Sequence, residues 1–121
     1  MSKRILSVDD QEDNRCILND LLTTVGFEVM QAVDGEAAVT MAEQHVPDLI
    51  LMDIQLPGMD GYEATRRIKA NPILKAIPVI AVTSFALRGD EAKALEAGCD
   101  AYMAKPYSPR QLLAKVREYL G

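Results

Sequence analysis

The sequence predicts a doubly wound α/β fold: one parallel sheet of five strands, covered by helices on both faces. Two observations carry this expectation. Short apolar runs alternate with longer segments of helical spacing from one end of the chain to the other, the pattern of consecutive strand–helix units. The short runs are also near-continuously apolar rather than half polar, as strands buried on both faces must be. At 121 residues the chain has the length of one domain, so residues 1–121 are expected to share one core.

The strand candidates are Ile5 to Val8, Val29 to Ala32, Leu49 to Met52, Val79 to Val82 and Ala101 to Ala104. The first helix is expected from about Glu12 to Val25, with Leu18, Leu21, Leu22 and Val25 as its apolar stripe and Gly26 at its C-terminal stop. The second runs from about Gly35 to Gln44, with Asp34 as N-cap and Ala38, Met41 and Ala42 facing inward. The third begins at Asp60, with Glu63 three positions on, and stops before Asn71-Pro72, because proline disfavours helix at the residue before it. The fourth spans about Asp90 to Ala97 and stops at Gly98. The fifth opens with Ser108, Pro109 and Gln111 (cap, N1 proline and capping-box partner) and turns Leu112, Leu113, Val116 and Leu120 inward. Right-handed crossovers between parallel strands leave few ways to connect these units.

Composition removes several classes of function. Hydrophobic residues make up 49% and charged residues 26%, a globular balance. A net charge of -5 argues against a protein that binds nucleic acid by neutralising phosphates. No apolar run approaches the roughly 20 residues of a membrane span, and Asp9-Asp10 interrupt the first apolar stretch before it could serve as a signal peptide. Cys16 and Cys99 are too few for a disulfide framework or a zinc cluster and read as two packed, reduced thiols. A cytoplasmic protein is expected, and the initial Met with the compact end suggests a stand-alone one.

The chemistry gathers where the strands end. Asp9-Asp10 follow the first, Asp53 ends the third, Thr83-Ser84 follow the fourth and Lys105-Pro106 the fifth. Open α/β sheets bind their ligands beyond these carboxyl ends. Three carboxylates brought together raise one another's pKa unless a cation is present. Lys105 is one such cation, and a hard divalent ion with oxygen ligands is another; Mg²⁺ fits a half-built carboxylate site. With no His or Cys cluster there, zinc and iron do not. A carboxylate held beside Mg²⁺ can attack a phosphoryl group and become an acyl phosphate, with Lys105 and Thr83 on the phosphoryl oxygens.

The set Asp9-Asp10, Asp53, Thr83 and Lys105-Pro106 on this βα pattern resembles the receiver domain of bacterial response regulators, of the CheY type, over essentially the whole chain. The resemblance implies a flavodoxin-like (βα)5 sandwich, with Asp53 as phosphoacceptor from a histidine kinase or histidine phosphotransfer protein. It implies Mg²⁺ held by Asp10, Asp53 and the backbone carbonyl of Gln55, with Asp9 acting through a metal-bound water. Thr83 would turn toward the phosphoryl group, Tyr102 would swing inward behind it, and Lys105 would form an ion pair with it, the Lys105-Pro106 peptide being cis. Leu56-Pro57-Gly58-Met59-Asp60-Gly61 matches the family's loop after the acceptor. A downstream protein would read the surface of the fourth helix, fifth strand and fifth helix, and the chain would be a monomer or weak dimer. Phe85, two residues after Thr83, would slow self-dephosphorylation by obstructing water. Asp13-Asn14-Arg15 and Pro106-Tyr107-Ser108-Pro109 resemble stand-alone receivers of cell-division relays; a chemotaxis-type regulator is the other reading.

Blander roles are open to single residues. Thr83 could satisfy local backbone, Tyr102 could be strand packing, His45 could merely end a helix, and Arg66, Arg67 and Lys69 could form a solvated face. An enzymatic alternative is a Mg²⁺-dependent aspartyl-nucleophile phosphatase of haloacid-dehalogenase type, although Gln55 stands where its second acid would be. A flavin-binding module fails on electrostatics, because Asp9-Asp10 would repel the flavin phosphate.

Overall fold

The computed structural model describes residues 3–83 and 90–121. Its elements run β1 (Arg4–Val8), α1 (Glu12–Thr24), β2 (Glu28–Ala32), α2 (Gly35–His45), β3 (Leu49–Asp53), α3 (Gly61–Ala70), β4 (Val79–Thr83), α4 (Asp90–Ala97), β5 (Ala101–Ala104) and α5 (Pro109–Leu120). The five strands form one parallel sheet in the order β2-β1-β3-β4-β5. The chain leaves β1 toward one edge and returns to build toward the other, so the order reverses between β1 and β3. That switch point is where doubly wound sheets open a crevice.

Side chains alternate across the sheet and divide the core into two layers. Ile5, Leu49, Leu51, Ile80 and Met103 pack against Leu18 and Leu22 of α1 and Leu112 and Val116 of α5. Leu6, Val8, Ile50, Met52, Val79 and Ala81 pack against Ala38 and Ala42 of α2, Ala64 and Ile68 of α3 and Ala94 of α4. Each fully buried Leu or Ile contributes about 1.5–3 kcal/mol. β3 and β4, covered on both faces and both edges, are buried throughout. β2 is an edge strand, and there the expectation of a fully buried run fails: Val29 and Met30 are only half-buried. Ser7 is the polar exception in β1; its hydroxyl is fully buried with no hydrogen-bond partner among the described residues.

The helix boundaries follow local chemistry. Asp34 Oδ1 accepts from the Ala37 N–H at 2.8 Å, and Asp60 Oδ1 from the Glu63 N–H at 2.9 Å. Ser108 and Gln111 form the complete capping box, with Pro109 in the first turn. Asn71 leaves α3 in extended backbone, as the residue before Pro72 should.

Three sequence expectations need correction. α1 ends at Thr24, so Val25 is its C-cap and is exposed rather than part of the buried stripe. Leu21, Met41, Leu113 and Leu120 face the core as expected, each packed against it while partly exposed. Cys99 is buried, but Cys16 lies on the exposed side of α1, so only one thiol is packed. Lys69 also departs from the solvated face of α3 that Arg66 and Arg67 share with Glu63. Its ammonium donates to the carbonyls of Lys75 and Ile77 and to Asp100 Oδ2 at 2.9 Å, tying the end of α3 to the approach into β4 and β5. His45 is exposed at the end of α2, where its carbonyl accepts from the Arg4 guanidinium.

Candidate functional site

The carboxyl ends of β1, β3, β4 and β5 bring Asp9, Asp53, Thr83 and Lys105 into one crevice. The parallel register sets their heights: Val8 lies beside Met52, Asp53 beside Val82, and Thr83 beside Ala104. Each polar residue thus sits at, or one step beyond, the end of an apolar ladder. Asp9 is 3% exposed and Asp53 6%, while Asp10 points to solvent at the rim. One carboxylate oxygen from each of the three lies within 4.8 Å of the others.

Asp9 and Asp53 are held in the same way. Asp9 Oδ1 accepts from the Gln11 N–H and Asp53 Oδ1 from the Gln55 N–H, both at 2.9 Å. Each carboxylate thereby closes a small turn on the backbone two residues later. Their Oδ2 atoms face a common cation: Lys105 Nζ is 3.2 Å from Asp53 and 3.4 Å from Asp9. Lys105 reaches them from a turn anchored by its N–H on the Thr83 carbonyl at 2.7 Å, and the Lys105-Pro106 peptide is cis, as the sequence resemblance implied.

The electrostatics are those of a strained cluster. Burial pushes the Asp53 carboxyl above its ordinary value, against the pull of Lys105 and the Gln55 N–H, and Asp9 adds to the rise. Burial alone would lower the Lys105 ammonium, but Asp53 and Asp9 outweigh it and hold it above its ordinary value. One ammonium among three carboxylates leaves a surplus of negative charge. The oxygen-only donor set, with Asp10 at the open rim, suits a hard divalent cation that keeps some of its waters.

Thr83 is fully buried, and Gln55 Nε2 donates to its hydroxyl oxygen. Tyr102 is half-buried on β5 and packs on the core layer under α2, α3 and α4. The loop after Asp53 folds back through Leu56 N–H and Gly61 N–H, both on the Ile54 carbonyl at 3.1 Å. Gly58 turns it with φ +69°, and Gly61 lets α3 start against the end of β3: a Cβ at 61 would collide with the Asp53 carbonyl and lie 2.8 Å from Ile54 Cα. Beside Lys105 a groove is lined by Asn14, Ile17, Leu18, Pro106 and Tyr107. Ser84 and Phe85 lie outside the described residues, so the expectation for Phe85 has no structural counterpart.

Two features of the site escape the sequence. Arg15 Nη1 donates to the Asp9 carbonyl at 2.8 Å, fastening α1 to the loop that carries the acids. The Gln55–Thr83 bond joins residues whose spacing carries no motif. Both depend on side-chain direction across a gap between elements, which no periodicity encodes.

The family profile of the response regulator receiver domain matches residues 5–117. Among curated proteins, the polar-differentiation response regulator DivK of Brucella ovis is 43% identical over 121 residues, covering 100% of this chain and 98% of that one. Among solved structures, the receiver domain of the sensor histidine kinase PA1611 from Pseudomonas aeruginosa PAO1, crystallised with a magnesium ion coordinated in its active site cleft, is 38% identical. It superposes with a TM-score of 0.93 over 100% of this chain and 99% of that one. The chemotaxis protein CheY4 of Vibrio cholerae is 25% identical, with a TM-score of 0.93 over 98% and 99%. Among the described residues, no helix is long and apolar enough to cross a membrane.

Proposed function

The chain belongs to the response regulator receiver family of two-component signalling, and from that premise we propose that it is a phosphorylation switch with Asp53 as its phosphoacceptor. The observation that carries this reading is the placement of Asp53. It is a buried carboxylate at the end of the central strand, with Oδ1 fixed by a backbone N–H and Oδ2 turned toward Lys105. A carboxylate so oriented attacks the phosphorus of an incoming donor. The new bond joins an Asp53 oxygen to phosphorus, the bond from phosphorus to the donor breaks, and the leaving group keeps the electron pair. Lys105 would follow the phosphoryl oxygens, exchanging a carboxylate partner for a more highly charged one. Asp10, Asp53 and the carbonyl of Gln55 would hold Mg²⁺ and Asp9 would bind it through water. Mg²⁺ would supply positive charge against the phosphoryl oxygens. Most of the catalysis is positioning and charge neutralisation, and the chain, a regulator rather than a classical enzyme, would catalyse only its own phosphorylation and dephosphorylation.

The donor would be a histidine kinase or a histidine phosphotransfer protein, approaching along the groove beside Lys105, Pro106 and Tyr107. Phosphorylation would draw Thr83 toward the new group and Tyr102 inward, shifting the surface of α4, β5 and α5 toward a form that binds a downstream protein. A single cytoplasmic domain, monomeric or weakly dimeric and without nucleic-acid contacts, completes the reading. The DivK relatives make polar differentiation the first process to test. Among the described residues no feature of the site favours a small-molecule phosphatase, since Gln55 offers an amide where that chemistry needs an acid.

Incubation with acetyl phosphate and Mg²⁺, followed by intact mass spectrometry, tests the proposal. The wild type should gain one labile phosphoryl group only when Mg²⁺ is present, and Asp53→Ala should gain none. An equal gain in Asp53→Ala would remove Asp53 from the role, and a gain without Mg²⁺ would remove the metal from it.

A further inference from the structure

Gln55 touches both halves of the proposed switch. Its backbone N–H is fixed on Asp53 Oδ1 at 2.9 Å, and its side-chain amide donates across to the Thr83 hydroxyl on the neighbouring strand. Thr83 is fully buried, so water does not readily replace a lost hydrogen bond there. The direction of the bond matters. The amide N–H donates and Oγ1 accepts, so the bond helps to hold the rotamer of Thr83 without using the hydroxyl proton.

We infer that Gln55 is a positioning residue that holds Thr83 in its resting orientation and opposes its turn toward a phosphoryl group on Asp53. The inference rests on the phosphoacceptor reading and deepens it. Gln55 is pinned by its own backbone, so its side chain follows a moving Thr83 only in part. The hydrogen bond therefore belongs to the resting state. An interaction made in one state alone biases the equilibrium toward that state by its full net strength. Without it, the form that accepts a phosphoryl group becomes easier to reach.

Beryllofluoride with Mg²⁺ serves as the phosphoryl stand-in, and its affinity reports the balance directly. Gln55→Met keeps the side-chain length and removes the donor. It should bind beryllofluoride roughly fivefold more tightly than the wild type, the scale of one net hydrogen bond. The gain should disappear when Gln55→Met is made in a Thr83→Val background, because the partner hydroxyl is already gone. In the unliganded protein, Thr83→Val should also move the side-chain amide NMR signal of Gln55. Equal affinity of Gln55→Met and wild type would overturn the inference, as would a gain of the same size in the Thr83→Val background. Absence of beryllofluoride binding to the wild type would instead reject the phosphoacceptor reading on which the inference stands.

Discussion

Asp53 carries a cost that its position explains. A carboxylate that is 6% exposed and sits near Asp9 is disfavoured in its charged form, so its pKa in the fold stands above the ordinary 3.8. For a group raised in this way, the stabilising contribution is complete below the ordinary pKa and is lost as pH rises through the raised one. Ionised Asp53 is therefore a liability at neutral pH. Asp53→Asn should stabilise the protein at pH 7 by about 1 kcal/mol, the usual scale for relaxing a functional residue. The advantage should shrink as pH falls toward 4. Urea unfolding at the two pH values checks this; a less stable Asp53→Asn at pH 7 would mean that the Lys105 pair outweighs burial. Asp9, Asp10, Asp53, Thr83 and Lys105 were all legible in the sequence, because a charged or hydroxyl residue directly after an apolar run marks a strand's end. Gln55 was legible through the resemblance as a backbone-carbonyl ligand, not as a partner of Thr83. Its bond to Thr83 requires the spacing and register of β3 and β4, which come from the fold.

Among the elements, the loop from Asp53 into α3 is the most constrained. Gly61 starts the helix directly against the end of β3, and Asp60 caps it. Gly61→Ala would force the Asp53 carbonyl and Ile54 aside. It should destabilise by about 1–3 kcal/mol, as overpacking does, and slow phosphorylation from acetyl phosphate. Thermal melts and a phosphorylation time course measure both; an unchanged rate with lowered stability would show that the acceptor carboxylate is insulated from its own loop. A second strained point lies far from the site. Val46 ends α2 with φ 44°, a left-handed conformation that a β-branched residue adopts at a cost. Element boundaries were readable because caps and prolines are local. The misplaced residues, Val25 and the half-buried Val29 and Met30, failed for tertiary reasons. A C-cap turns its side chain off the stripe, and an apolar pattern does not say which strand will be an edge.

At the scale of the whole molecule, the strand order β2-β1-β3-β4-β5 converts separate strand ends into one crevice. The order was available only through resemblance, since alternation of elements fixes a parallel sheet but not its sequence of strands. The crevice collects more negative than positive charge, so a cation that binds the folded state alone should raise its melting temperature. Mg²⁺ at millimolar concentration is expected to raise it, and Asp10→Asn or Asp53→Asn to blunt the effect. An equal rise in both variants and wild type would move the metal elsewhere. Asp9 shares the backbone bond and the Lys105 contact, so what sets Asp53 apart as the proposed nucleophile is its place at the end of the central strand. Borohydride trapping tests that assignment most directly. Protein phosphorylated with acetyl phosphate and Mg²⁺ is reduced with borohydride, which converts an aspartyl phosphate to homoserine, and the peptides are sequenced by mass spectrometry. Homoserine at position 53, and at neither 9 nor 10, is the predicted result; homoserine at 9 or 10 with Asp53 intact would contradict the account.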